Sequence, residues 1–158
     1  MGRPEKIRLG DLLIQQGLLT NEQLSLSLDE QKRSGRKLGR IVVEQGYVTE
    51  EAIARALARQ LQTVFVDLKS FNPRKELINR LPEAQARRFR AVVLDEIEGR
   101  LRVGFADPTD LHAYDEIVRI LRHDIEPAVV AESQLLALID RVYHRTEEIS
   151  GLAQELTA

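Results

Sequence analysis

The chain repeats itself once near its start. Arg8 to Gln31, RLGDLLIQQGLLTNEQLSLSLDEQ, lies without a gap over Lys37 to Gln60, KLGRIVVEQGYVTEEAIARALARQ, at a constant offset of 29 residues. The identical pairs are Leu9/Leu38, Gly10/Gly39, Gln16/Gln45, Gly17/Gly46, Thr20/Thr49, Glu22/Glu51, Leu28/Leu57 and Gln31/Gln60. Most other positions exchange like for like, as in Arg8/Lys37, Leu12/Ile41, Leu13/Val42 and Leu24/Ile53. A unit this short cannot bury its apolar face alone, so the copies are expected to pack together as a pseudo-symmetric pair.

Each copy reads as a short helix, a glycine stop and a longer helix, which predicts two helical hairpins in tandem. Leu9, Leu12 and Leu13 share one face of the first helix, and Gly17 sits where a left-handed residue ends it. Thr20 is a natural N-cap, with Gln23 three residues on to complete a capping box, and Leu24 and Leu28 give the next helix its apolar stripe before Gly35 closes it. Gly46, Thr49, Ile53 and Leu57 repeat that logic.

Beyond the repeats the period changes. VFVDL at Val64 to Leu68 is a short β-type run, followed by helices at about Arg74 to Leu81 and Glu83 to Arg88. Two β-rich runs meet at Glu98-Gly99 as a hairpin; a helix at about Asp110 to Leu121, a strand at Ile125 to Val130 and a helix at Ser133 to Tyr143 follow. The expected fold is α+β, with tandem helical hairpins over 1–62, a small layer with a sheet of about four strands over 63–149, and a linker or tail over 150–158.

With 43% hydrophobic and 30% charged residues the chain reads as a globular protein, and with no cysteine it has neither a disulfide framework nor a thiolate metal site, which points to the cytoplasm. The first ten residues lack the apolar stretch of a signal peptide or membrane span. A net charge of −2 argues against duplex DNA as a partner, although GYVTEEAIARALARQLQ superficially resembles a helix-turn-helix. Residues 1–62 nevertheless carry ten Lys+Arg against eight Asp+Glu, with Lys32, Arg33, Arg36, Lys37 and Arg40 clustered as if for a small anion.

Three duplicated positions ask for more than folding. A glycine inside the first helical turn costs about 0.5–1 kcal/mol against alanine, so Gly10 and Gly39 suggest close approach of something to the backbone. Arg8 or Lys37 beside a helix N-terminus suits an anion, arginine can fork onto or stack over a guanine, and Gln31 and Gln60 can read a base edge. A cyclic dinucleotide, with two phosphates and two guanines about a twofold axis, matches such a duplication.

The paired segments resemble the two motifs of the MshEN-type cyclic-di-GMP-binding domain at the N-terminus of type II secretion and type IV pilus assembly ATPases. Those motifs read R-L-G-x-x-L-x-x-x-G and then L-x-x-x-L-x-x-Q, with a five-residue spacer, here KRSGR at Lys32 to Arg36. The resemblance continues through VFVDL and LRVGFADPTDLHAYDEI and covers nearly the whole chain. It implies a non-enzymatic receptor whose regulatory ligand is cyclic di-GMP, with no metal, and whose protein partner is a secretion or pilus ATPase or its platform protein. By the same resemblance Arg8 stacks on or bonds a guanine, Leu9 and Gly10 give backbone contacts, Leu24 and Leu28 form an apolar floor, and Gln31 touches the ligand. Lys37, Leu38, Gly39 and Gln60 do the same in the second copy; Leu12, Ile41, Ile53 and Leu57 complete the repeat-borne set, and Arg87 and Asp107 reach in from the second part. Two departures stand out. Lys37 cannot fork as an arginine does, and Arg40 stands where the first copy has Asp11.

Other chemistry finds little support. No Gly-Lys pair exists anywhere in the chain, which excludes a P-loop within it. His112, His123 and His144 have no metal-ligand spacing, and Asp95/Glu96 and Glu147/Glu148 read as solvated charges. Asp107-Pro108-Thr109-Asp110 reads first as a strand end and helix cap. The competing reading keeps the fold without the ligand, as a module docking a secretion or pilus ATPase onto its membrane platform.

Overall fold

Threonine and glycine punctuate the first four helices as their chemistry requires. In the computed structural model, which describes residues 8–143, these are α1 (Leu9–Gln15), α2 (Asn21–Ser34), α3 (Leu38–Glu44) and α4 (Glu50–Gln60). The tail at 150–158, His144 and Glu147/Glu148 lie outside the described residues. The Thr20 hydroxyl accepts from the Gln23 amide at 3.1 Å while Gln23 Oε1 accepts from the Thr20 amide at 3.0 Å, closing the capping box. Thr49 accepts from Ala52 N at 3.1 Å, but an alanine returns nothing. Gly17 and Gly46 hold φ of 72° and 78°, the left-handed turn that lets Leu18 N and Tyr47 N reach back to Leu13 O and Val42 O.

The helices do not close as two separate hairpins. Packing runs chiefly between copies, α2 against α3 and α1 against α4, with α3 also touching α1 and α4. The reason lies in where the small residues are. Ala54, Ala56 and Ala58 give α4 a low face that admits Leu12 of α1. Leu13, Leu19, Val42 and Val48 form a second cluster, composed of two pairs at the repeat offset. Each buried side chain of this size contributes on the order of 1.5–3 kcal/mol.

The remainder packs short helices against a small sheet around one core. It comprises α5 (Lys75–Ile78), α6 (Glu83–Phe89), β1 (Ala91–Ile97), β2 (Arg100–Phe105), α7 (Leu111–Leu121), β3 (Ile125–Val129) and a last helix, α8, over 132–143. The strand order is β1-β2-β3. β1 and β2 are antiparallel across Glu98-Gly99, where φ values of 50° and 78° make a turn of the primed kind. β2 and β3 are parallel, and α7 is the crossover that parallel pairing demands. Phe105, Leu101, Leu94, Ile117, Leu135 and Ile139 fill the interior. Gly104 is needed for that packing, since a Cβ there would lie 2.9 Å from Val130 Cγ1 and 3.1 Å from Leu94 Cδ1.

Two further expectations need correction. The sheet has three strands, because VFVDL pairs through one residue only: Phe65 bridges Val129, with Val66 N donating to Val129 O and Val129 N to Val64 O, both at 2.9 Å. The segment then turns away as Asp67 Oδ1 takes the Lys69 amide at 3.0 Å and Gln134 Oε1 takes the Leu68 amide at 3.1 Å. The helix expected to run to Leu81 stops at Ile78, and Leu81 is buried just before Pro82, which disfavours helical backbone in its predecessor.

Tyr143, 7% exposed, ties α8 to the α5–α6 connection through its hydroxyl, which lies 2.9 Å from Ile78 O and 2.5 Å from Leu81 O. Burial, helped by the negative charge of Glu83, pushes the phenol up to about 12. The unfolded tyrosine ionises near pH 10, so this residue's contribution is complete below about pH 10 and is lost as pH rises towards 12. Urea denaturation across that range is expected to show an alkaline loss of about 1–3 kcal/mol that Tyr143→Phe removes.

Candidate functional site

Arg8 and Lys37 are the N-cap residues of α1 and α3, in extended backbone and without a side-chain cap. Their helices meet at those ends. A Cβ on Gly10 would lie 3.4 Å from Leu38 Cδ2 and one on Gly39 would lie 3.2 Å from Leu9 Cδ2, so each copy's leucine rests on the other copy's glycine. Leu24 adds to this, its Cδ1 2.8 Å from the Gly10 position. The close approach that the glycines suggested is thus made, at least in part, by leucines of this chain. Arg8 and Lys37 are exposed, and among the described residues neither side chain has an ion-pair partner.

The rest of the basic cluster is mostly neutralised. Arg33 pairs with Glu30, Arg36 with Glu44, and Arg40 reaches Glu132 at 3.9 Å. Lys32 and Lys37 remain, together with Arg8, as cations without a carboxylate among the described residues. This arrangement suits an anion at the junction of α1 and α3.

The apolar positions divide unequally between the copies. Leu24 is half-buried and Leu28 is 39% exposed, with Gln31 following on the same face of α2. The matching residues of α4 turn inward: Leu57 is 6% exposed and packs with Leu12 and Val129, Ile53 flanks that cluster, and Gln60 is exposed. Leu12 and Ile41, each 1% exposed, are interior. The structure therefore brings Leu9, Gly10, Leu24, Leu38 and Gly39 together, leaves Leu28 open beside them, and commits Leu12, Ile41 and Leu57 to the core.

Arg87 and Asp107 have their side-chain partners within the α+β layer. Arg87 bonds Asp140 at 2.6 Å and Glu83 at 3.0 Å, contacts that raise its affinity for its proton, Asp140 foremost. Asp107 accepts from the Thr109 amide and hydroxyl, while Asp110 caps α7 through Ala113 N at 3.1 Å. Among the described residues no group of three or more His, Asp or Glu side chains could hold a metal ion, and no helix is long and apolar enough to cross a membrane.

One repeated residue has a role that its recurrence alone did not disclose. Gln16 donates to Ala56 O at 3.0 Å and accepts from Arg59 Nε and a terminal nitrogen at 3.0 and 2.7 Å, pinning α1 to α4. Gln45, its repeat mate, has no such bonds among the described residues.

Fold and site together define a two-part α+β module, in which a duplicated helical unit with an open apolar face, and with cations unpaired among the described residues, packs on a small α+β layer. The chain belongs to the MshEN domain family, whose profile matches residues 60–149. That match covers the α+β layer and leaves both repeat copies almost wholly upstream of it. Among curated proteins the chain is similar to the type IV pilus assembly ATPase PilB of Thermus thermophilus, 32% identical over 189 aligned positions that take in 96% of this chain and 21% of the relative. It is also similar to the PilB of Myxococcus xanthus, 27% identical over 136 positions, 86% of this chain and 24% of the relative. The chain thus spans about a quarter of the length of these relatives. Among solved structures, one described as MshE with cdg superposes with a TM-score of 0.76 at 34% identity, covering 87% of this chain and all of that one. The N-terminal domain of XpsE shares the fold, with a TM-score of 0.69 at 24% identity over 85% of this chain and 92% of that one.

Replacing Gln16 by alanine is expected to destabilise the protein by about 1–2 kcal/mol, since a part-buried carbonyl and a guanidinium both lose a partner, whereas Gln45→Ala leaves stability within about 0.5 kcal/mol. Urea denaturation of the two variants side by side measures the difference.

Proposed function

We propose that this chain is a cyclic-di-GMP receptor domain that regulates a type IV pilus or type II secretion assembly ATPase. The observation that carries the reading is the match, at 34% identity over the entire length of the solved chain, to a structure described as MshE with cdg. Support comes from the residues themselves: Arg8 and Lys37 at the abutting ends of α1 and α3, and the open Leu24, Leu28 and Gln31 face beside them. Guanine bases would lie on the apolar face, and phosphates would take the cations and the free amides of the first turns. The site is uneven. The first copy supplies an arginine and an exposed floor; the second supplies a lysine, and its equivalent floor residue Leu57 is held by Leu12 and Val129.

Binding at the junction of the copies would fix their mutual orientation, and the α+β layer packed against α4 would carry that bias to an attached or partner ATPase. Arg87 and Asp107 join the ligand only by exchanging their present partners, so they rank below the repeat residues.

Calorimetric titration with cyclic di-GMP tests the reading: saturable heat is expected, and a folded protein silent at tens of micromolar would sink it. Arg8→Ala is expected to weaken binding by about tenfold or more and Lys37→Ala by less, because only arginine can fork onto a base or stack over it. The reverse order would reassign the half-sites.

A further inference from the structure

Four charged groups meet where the duplicated helices face the first turn of α8. Glu132, 33% exposed, bonds Arg90 Nε at 2.8 Å and lies 3.9 Å from a terminal nitrogen of Arg40, so one carboxylate is shared between the α+β layer and α3. Beside it, Glu50 of α4 accepts the Ser133 amide, capping α8 from the other part of the molecule. Arg90 also donates to Arg87 O and holds its backbone in the left-handed region at φ 50°, a conformation costly for a side chain of this kind. That left-handed residue is the C-cap of α6, its amide donating to Ala86 O.

Arg40 is the residue that breaks the symmetry of the repeat, standing where the first copy has Asp11. It lies three residues beyond Lys37 on α3, and its link to Glu132 is the longest of the ion pairs in the protein's described residues, with the Arg40 side chain 58% exposed. A link so long and so wet is easily exchanged. We infer that Glu132 is a switch residue that holds Arg40 in the nucleotide-free protein and gives it up when a dianionic dinucleotide occupies the junction of α1 and α3. The inference rests on the proposed function for the identity of the ligand, and on the Arg40–Glu132–Arg90 geometry for the switch. Because Glu132 and the ligand compete for one cation, the carboxylate opposes binding, and ligand binding loosens the hold of α3 on α8 by the same factor.

Two measurements on the whole chain test this. In the absence of nucleotide, a double-mutant cycle in urea with Arg40→Gln, Glu132→Gln and the pair is expected to show a coupling of about two- to fivefold in the unfolding constant; independent effects would overturn the link between Arg40 and Glu132. In titrations with cyclic di-GMP, Glu132→Gln is expected to bind about two- to fivefold more tightly than the wild type, and to make no difference in the Arg40→Gln background. Unchanged or weaker binding by Glu132→Gln overturns the switch while leaving the receptor reading intact. Absence of binding by the wild type overturns the receptor reading and the nucleotide switch together, while the cycle in urea separately judges the ion pair.

Discussion

Everything in the helical part depends on one reciprocal fit: Leu9 on Gly39 and Leu38 on Gly10. A glycine in a helix sacrifices stability locally, by about 1 kcal/mol against alanine, and here the absent Cβ lets two helix ends come within side-chain contact. That approach places Arg8 and Lys37 at one junction and directs the α1 and α3 axes so that α4 and α2 can pack across to the opposite copy. Among the described residues neither cation has a carboxylate partner, an arrangement that would suit an anion at this junction.

A duplicated sequence need not make a symmetric site. The paired core of Leu13, Leu19, Val42 and Val48 obeys the repeat, but α4 must also cover β3, and its Leu57 is drawn inward against Val129. The equivalent Leu28 has no such neighbour and stays open. The same sheet contact that anchors the helices therefore differentiates the two halves, and the exchange of Asp11 for Arg40 extends the difference into the electrostatics.

Local chemistry was the legible part. The capping box at Thr20, the glycine stops, the hairpin at Glu98-Gly99 and the helix that became α7 all follow from residues adjacent in sequence. The family resemblance was equally readable, from motifs with fixed spacing. What stayed hidden depends on distant partners: nothing in VFVDL announces that Gln134 will take the Leu68 amide and end the pairing after one bridge. Likewise, the identity of Gln16 with Gln45 conceals that only the first meets Arg59, and the basic cluster gave no sign that Glu44 and Glu132 would claim two of its members.

The single bridge at Phe65 has a consequence for how the molecule meets other chains. Along the outer side of β3 the alternating positions are Ile125, Pro127 and Val129. Proline has no N–H to offer, its carbonyl accepts from the Thr63 hydroxyl, and both polar groups of Val129 are taken by Val64 and Val66. A row of outward donors that would template another strand is thus reduced almost to one, at Ile125. The β3 edge is thus blunted against strand addition and edge-to-edge aggregation without a full fourth strand, which leaves β1 as the edge at which another chain could extend the sheet.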